Sequence, residues 1–149
     1  MLKRFLIIFL LPFVFISCDE KDADHHDDEH FEPTRMVFML NGEEYLEINN
    51  GQVTNTHNSN FTLNVNEVIG TFDLIFYDED GDVLEFEDDH YNISWELDDE
   101  GIVMFRKVDN VETNYSITAL SSGNTNVTFF INHGDHADIT FPKIPIVVN

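Results

Sequence analysis

The chain has 149 residues, of which 29 are acidic and 7 are lysine or arginine, so its formal charge at pH 7 is −22. This charge argues against nucleic acid as a partner, because phosphate recognition needs a basic surface. The length suits one globular domain with a single core.

The first 18 residues have the three parts of a secretory signal. Lys3 and Arg4 give a basic start, residues 5–16 are apolar, and the small residue Ser17 precedes Cys18. The apolar stretch is too short to span a bilayer. Cys18 is the only cysteine, so it cannot form an intramolecular disulfide. We therefore predict that residues 1–17 are removed and that Cys18 is lipidated.

Two short motifs around Cys18 resemble known export signals. Phe15-Ile16-Ser17-Cys18 resembles a bacterial lipobox, with Phe15 where leucine is usual. The acidic stretch 19–24 resembles the export tag of surface lipoproteins in Bacteroidota-type bacteria. The resemblance implies a lipid-anchored protein of the outer membrane that is exposed on the cell surface. Its expected partners are the membrane, through the lipid, and an outer-membrane protein or surface complex. The alternative is a periplasm-facing lipoprotein with an acidic spacer.

Residues 18–34 are predicted to form a disordered acidic tether. Asp, Glu and His dominate this stretch without apolar periodicity. His25, His26 and His30 lie within it, and short histidine-rich tracts are a metal-binding composition. A solvated spacer that happens to contain histidine is the other interpretation.

Strand patterns begin at Met36. Asn41-Gly42 separates an apolar run from residues 43–48, which predicts a β-hairpin. Alternation of apolar and polar residues continues through 61–65, 72–76, 93–97, 115–119 and 127–131. Asp80-Gly81 is predicted as a type I′ hairpin turn rather than a calcium loop. About nine short strands without helical periodicity predict an all-β sandwich.

The C-terminal half carries a second resemblance. Trp95-Glu96-Leu97-Asp98, Ile102–Phe105 and the stretch Tyr115–Phe129, which contains Ala119-Leu120-Ser121-Ser122-Gly123, are similar to a bacterial Ig-like group 2 domain. The resemblance implies an Ig-like antiparallel β-sandwich over residues 35–149, with Trp95 in the core. It also implies use at the cell surface, but it does not specify a function, since one fold serves many functions.

The segment His133-Gly134-Asp135-His136-Ala137-Asp138 is the candidate metal site. It is predicted as a tight loop on which His133 and His136 converge, with Asp135 or Asp138 as an oxygen ligand. Zinc takes four ligands, so a third histidine would come from His57, His90 or the tether. The alternative is a polar loop whose side chains satisfy turn backbone groups.

The sequence predicts a binding protein rather than an enzyme. It has no Gly-x-Ser-x-Gly nucleophile motif and no phosphate loop, and no organic cofactor is expected. The first hypothesis is a surface lipoprotein that binds zinc, or copper or nickel, through His133, His136, Asp135, Asp138 and the tether histidines. The second is a non-catalytic adhesive or accessory Ig-like module of a cell-surface complex.

Overall fold

A computed structural model describes residues 31–54, 56–86 and 90–149, which fold into two β-sheets without a helix. The predicted signal peptide, Cys18 and the tether histidines His25, His26 and His30 lie outside these residues. The described residues contain no helix that is long and apolar enough to cross a membrane. The compact unit runs from Phe31 to Asn149.

Twelve strands make up the described structure. They are β1 (Arg35–Leu40), β2 (Glu43–Asn49), β3 (Gln52–Val53), β4 (Phe61–Leu63), β5 (Val68–Tyr77), β6 (Val83–Leu84), β7 (Tyr91–Leu97), β8 (Val103–Lys107), β9 (Asn114–Ala119), β10 (Gly123–His133), β11 (His136–Thr140) and β12 (Ile144–Val148).

The strands form two sheets that face each other. The first sheet has the order β3-β2-β1-β5-β9-β8, and β6 adds to β5. The second has the order β11-β10-β12-β4, and β7 adds to β10. All strand pairs are antiparallel except β12 with β4. The predicted all-β, sandwich-like architecture is therefore confirmed.

Alternation places aromatic rings between the sheets. Phe38 on β1 of the first sheet meets Phe61 on β4 and Phe129 on β10 of the second, each with ring centroids 5.4 Å apart. All three side chains are fully buried. Edge-to-face aromatic pairs stabilise a core beyond the area that they bury. These rings join the two sheets.

The turn predictions had opposite outcomes. Asn41 and Gly42 have φ of 54° and 82°, so both central residues of the β1–β2 turn are left-handed, as type I′ requires. The type I′ turn at Asp80-Gly81 is wrong, since Asp80 is not left-handed and β5 pairs with β6 across the longer loop 78–82. The Asp78 carboxylate accepts hydrogen bonds from the N–H groups of Asp80 (3.0 Å) and Asp82 (2.8 Å), which closes this loop.

Glu47 is a buried acid on β2, with 8% of its surface exposed. Arg35 Nε donates to its Oε1 at 2.6 Å, and Thr54 Oγ1 donates to its Oε2 at 3.0 Å. Burial by itself would raise the pKa of Glu47, but the hydrogen bonds from Arg35, Thr54 and Asn49 hold it below its ordinary value of 4.5. The ionised form therefore stabilises the folded state.

We expect the contribution of Glu47 to the free energy of unfolding to depend on pH. Because folding lowers the pKa of Glu47, its contribution is fully present above pH 4.5 and is lost as the pH falls through the folded-state pKa. Glu47→Gln should reduce the free energy of unfolding at neutral pH by about 1–2 kcal/mol. Urea unfolding followed by Trp95 fluorescence should show this difference shrinking below pH 4.5. Glu96→Gln, at an exposed position, is the control. A pH-independent difference for Glu47→Gln would contradict the assignment.

Tyr115 is a second buried polar group. Its ring is fully buried against Trp95 and Phe129, with centroids 5.3 and 5.9 Å away. Its hydroxyl has no hydrogen-bond partner among the described residues, and burial raises the pKa of this phenol. A buried hydroxyl without a partner destabilises the fold.

Tyr115→Phe should therefore stabilise the protein. The variant keeps the ring contacts and removes the unpaired hydroxyl, so we expect a free energy of unfolding about 1 kcal/mol higher than that of the wild type. Chemical denaturation at neutral pH measures the change. A loss of more than about 1 kcal/mol would mean that the hydroxyl makes a stabilising hydrogen bond.

Candidate metal site

His133 and His136 lie on a β-hairpin rather than on a loop. β10 continues to His133, Gly134 and Asp135 form the turn, and β11 begins at His136, which pairs with His133. Gly134 has φ of 63°, which glycine adopts without strain at the first position of a two-residue turn. The loop predicted for residues 133–138 is therefore wrong. The strand over residues 136–140 was not predicted because β11 has no buried residue and therefore no alternation of buried and exposed positions.

A β-bulge brings Asp138 towards the histidines. Ile139 pairs with Ile131, but Ala137 pairs with Asn132, so Asp138 is an extra residue in β11 without a partner of its own. A bulge bends the strand and redirects the side chain of the extra residue. The result is that one residue from β10 and two from β11 point to the same place.

The three side chains form a compact group of possible ligand atoms. His136 Nε2 lies 2.9 Å from Asp138 Oδ1, and His133 Nδ1 lies 3.7 Å from Asp138 Oδ2. One ligand atom from each of the three residues lies within 4.8 Å of the other two. Ligand atoms around a tetrahedral zinc ion are about 3.4 Å apart, given bond lengths of about 2.0–2.1 Å. All three residues are exposed, so their side chains are free to adjust towards that spacing.

Asp135 lies outside this group of three. Its side chain is fully exposed at the turn, and its Oδ1 is 3.5 Å from Nδ1 of His136. His136 thus has a carboxylate beside each ring nitrogen, Asp135 at Nδ1 and Asp138 at Nε2. A carboxylate beside the second nitrogen of a ligand histidine fixes its tautomer and orientation.

The other predicted histidines lie elsewhere in the fold or outside the described residues. His57 Nε2 lies 3.1 Å from Glu44 Oε2, and Glu44 belongs to β2 in the first sheet. His90 is exposed and directly precedes β7. Neither belongs to the three-residue group. His25, His26 and His30 lie outside the described residues.

Tyr91 is a neighbour of the site that the sequence analysis missed. It pairs with His133 across β7 and β10, and the centroids of the two rings are 5.2 Å apart. Its hydroxyl accepts a hydrogen bond from the N–H of Phe31 at 3.2 Å. The alternation of Ile93 and Trp95, extended back by two residues, would have placed Tyr91 on the same face.

A groove lies at another place, between the edge strands β7 and β8. It has a volume of about 330 Å³ and is lined by Trp95, Leu97, Glu100, Phe105 and Leu120, among others. Trp95 is only half-buried. It contacts the core rings of Phe105 and Tyr115, but the predicted position inside the core is wrong.

The edge of β8 beside this groove is open. Among the described strands, β8 pairs only with β9. Val108 N–H donates to Asn114 O at 2.8 Å, which makes this a hydrogen-bonded pair. Such pairs alternate along an antiparallel ladder, so Val103, Phe105 and Lys107 direct their N–H and C=O groups away from β9.

No protein-family model and no curated protein matches the sequence. The fold is similar to a crystal structure of domains 4 and 5 of the S-layer protein SbsC, with 13% identity, a TM-score of 0.43, and coverage of 78% of this chain and 53% of that one. A structure of SbsC domains 4–9 matches with 14% identity, a TM-score of 0.44, and coverage of 62% and 13%. The chain therefore spans about half or less of the length of these structures.

Proposed function

We propose that this protein is a surface-anchored lipoprotein that binds a divalent transition-metal ion, with zinc the preferred ion and copper or nickel next. The observation that carries the proposal is the convergence of His133, His136 and Asp138 at the β10–β11 hairpin. The hairpin pairs His133 with His136, and Asp138, two residues after His136, lies on the same side of β11.

Each residue has a distinct role in the proposed site. His133 offers Nδ1, His136 offers Nε2, and Asp138 offers a carboxylate oxygen. Asp135, beside Nδ1 of His136, orients that ring rather than binding the ion. The fourth position of a zinc site would be taken by water or by a tether histidine, His25, His26 or His30.

The ligand types account for the choice of metal. Imidazole nitrogen suits zinc, copper and nickel, whereas calcium and magnesium prefer oxygen ligands. The formal charge of −22 raises the local concentration of any cation but does not select among them. Selectivity therefore depends on the two histidines.

Calorimetric titration of the mature protein with zinc at neutral pH tests the site. We expect micromolar or tighter binding, and a loss of at least about 100-fold for His133→Ala/His136→Ala, since two of the three ligands are removed. Asp135→Ala should weaken binding by about tenfold, as for other groups that orient a ligand. His57→Ala is the matched control and should bind like the wild type. Wild-type binding weaker than millimolar, or unchanged binding by the double variant, would contradict the proposal.

The proposed anchor is the lipidated Cys18, by which the protein would be held in the outer membrane facing the cell exterior. The support is the signal-like segment before Cys18 and its position directly after Ser17. Stable anchoring needs more than one acyl chain, as is usual on the cysteine of bacterial lipoproteins.

Cys18→Ala should move the protein out of the membrane fraction or leave it unprocessed. Membrane fractionation and mass determination of the mature chain check this outcome. Cys18→Ala protein that fractionates with the membrane at its mature mass would show that Cys18 is not the anchor.

A non-catalytic adhesive or accessory binding module is the second candidate. The open edge of β8 beside the Trp95 groove favours it, because an extended segment of a partner protein can add to such an edge and place apolar side chains in the groove. This function needs no metal, so indifference to zinc would favour it.

A further inference from the structure

We propose that Tyr91 couples the metal site to the point where the chain enters the sandwich, so that an ion bound at His133 tightens the hold on Phe31. The inference rests on the proposed metal site and assigns it a conformational consequence. It depends on two contacts of the Tyr91 side chain, one with Phe31 and one with His133.

The first contact joins Tyr91 to Phe31. The hydroxyl of Tyr91 accepts the N–H of Phe31 at 3.2 Å, and the two ring centroids are 5.5 Å apart. Phe31 also packs against Phe76 and Phe86, at 5.3 and 5.5 Å, and only 8% of its surface is exposed. Phe31 precedes β1 and belongs to no strand, so the Tyr91 hydroxyl holds a backbone group that no strand pairing holds.

The second contact joins Tyr91 to the site. Its ring lies beside that of His133, with centroids 5.2 Å apart, and the ring of His133 is 6.1 Å from that of His136. The side chain of His133 is 47% exposed, and the Tyr91 ring packs against its imidazole. Phe31, Tyr91, His133 and His136 thus form an unbroken series of contacts.

An ion would act through this series by restricting motion. A ligand imidazole must keep one orientation to direct its nitrogen at the metal. A fixed His133 ring limits the positions open to the Tyr91 ring packed on it, and hence the movement of the hydroxyl that binds Phe31. Such coupling is reciprocal, so loss of the Tyr91–Phe31 contact should also weaken metal binding.

The experiment combines amide hydrogen exchange, measured by NMR, with zinc calorimetry on the full mature protein at neutral pH. Zinc should slow exchange at the Phe31 amide of the wild type by about fivefold or more, the lower end of ordinary coupling between sites. Tyr91→Phe keeps the ring and removes the acceptor. It should abolish that zinc-dependent protection and weaken zinc binding by a similar factor. Tyr45→Phe is the matched control and should behave like the wild type, because Tyr45 packs on Phe61 and Phe72 in the core.

Failure of the inference can be told apart from failure of the metal site itself. If the wild type binds zinc but exchange at Phe31 does not change, the coupling is refuted and the site stands. If Tyr91→Phe retains full zinc-dependent protection, Tyr91 is not the coupling residue, and the inference is again refuted. If the wild type binds no zinc, both the inference and the proposed function are overturned.

Discussion

The contact of Phe38 with Phe61 and Phe129 joins the two sheets, and the other features depend on it. The chain has a formal charge of −22, so its surface charges repel one another when the chain is compact. Burial of large aromatic rings between the sheets opposes that repulsion. The rings come from β1, β4 and β10, so a single cluster fixes strands that are distant in sequence.

The candidate metal site lies where β10 extends beyond this core. Phe129 and Ile131 on β10 are fully buried, but His133, two residues further on the same face, is exposed. Apolar packing therefore fixes the backbone of the site while the ligand side chains remain open to solvent. Tyr91 lies at the transition, with one side towards the core ring of Phe31 and the other towards His133. The candidate site therefore combines a buried base with exposed side chains.

Local signals in the sequence predicted much of the fold. Asn41-Gly42 predicted its turn because both residues tolerate a left-handed backbone, and apolar alternation predicted the strands that bury Phe72, Phe129 and their neighbours. Asp80-Gly81 looked equivalent, but the Asp78 carboxylate organises a longer loop there. A side-chain hydrogen bond of this kind leaves no periodic trace in the sequence.

The candidate site was predicted by residue type but not by geometry. The spacing of His133, His136 and Asp138 suggested shared ligation, but only the pairing of β10 with β11 shows that Asp135 lies in the turn and Asp138 beside both histidines. Strand pairing, including the bulge at Asp138, is a matter of register, which the sequence of one strand does not contain. Tyr91 was missed because its contact with His133 requires β7 and β10 to be paired.

In the proposed site, His133 and His136 bind one ion together through defined ring nitrogens. NMR of the imidazole nitrogens during zinc titration at neutral pH tests this most directly. We expect His133 Nδ1 and His136 Nε2 to shift together to saturation at one equivalent of zinc, while the nitrogens of His57 beside Glu44 do not respond. Equal shifts at all three histidines, or no shift at His133 and His136, would contradict a shared site at the β10–β11 hairpin.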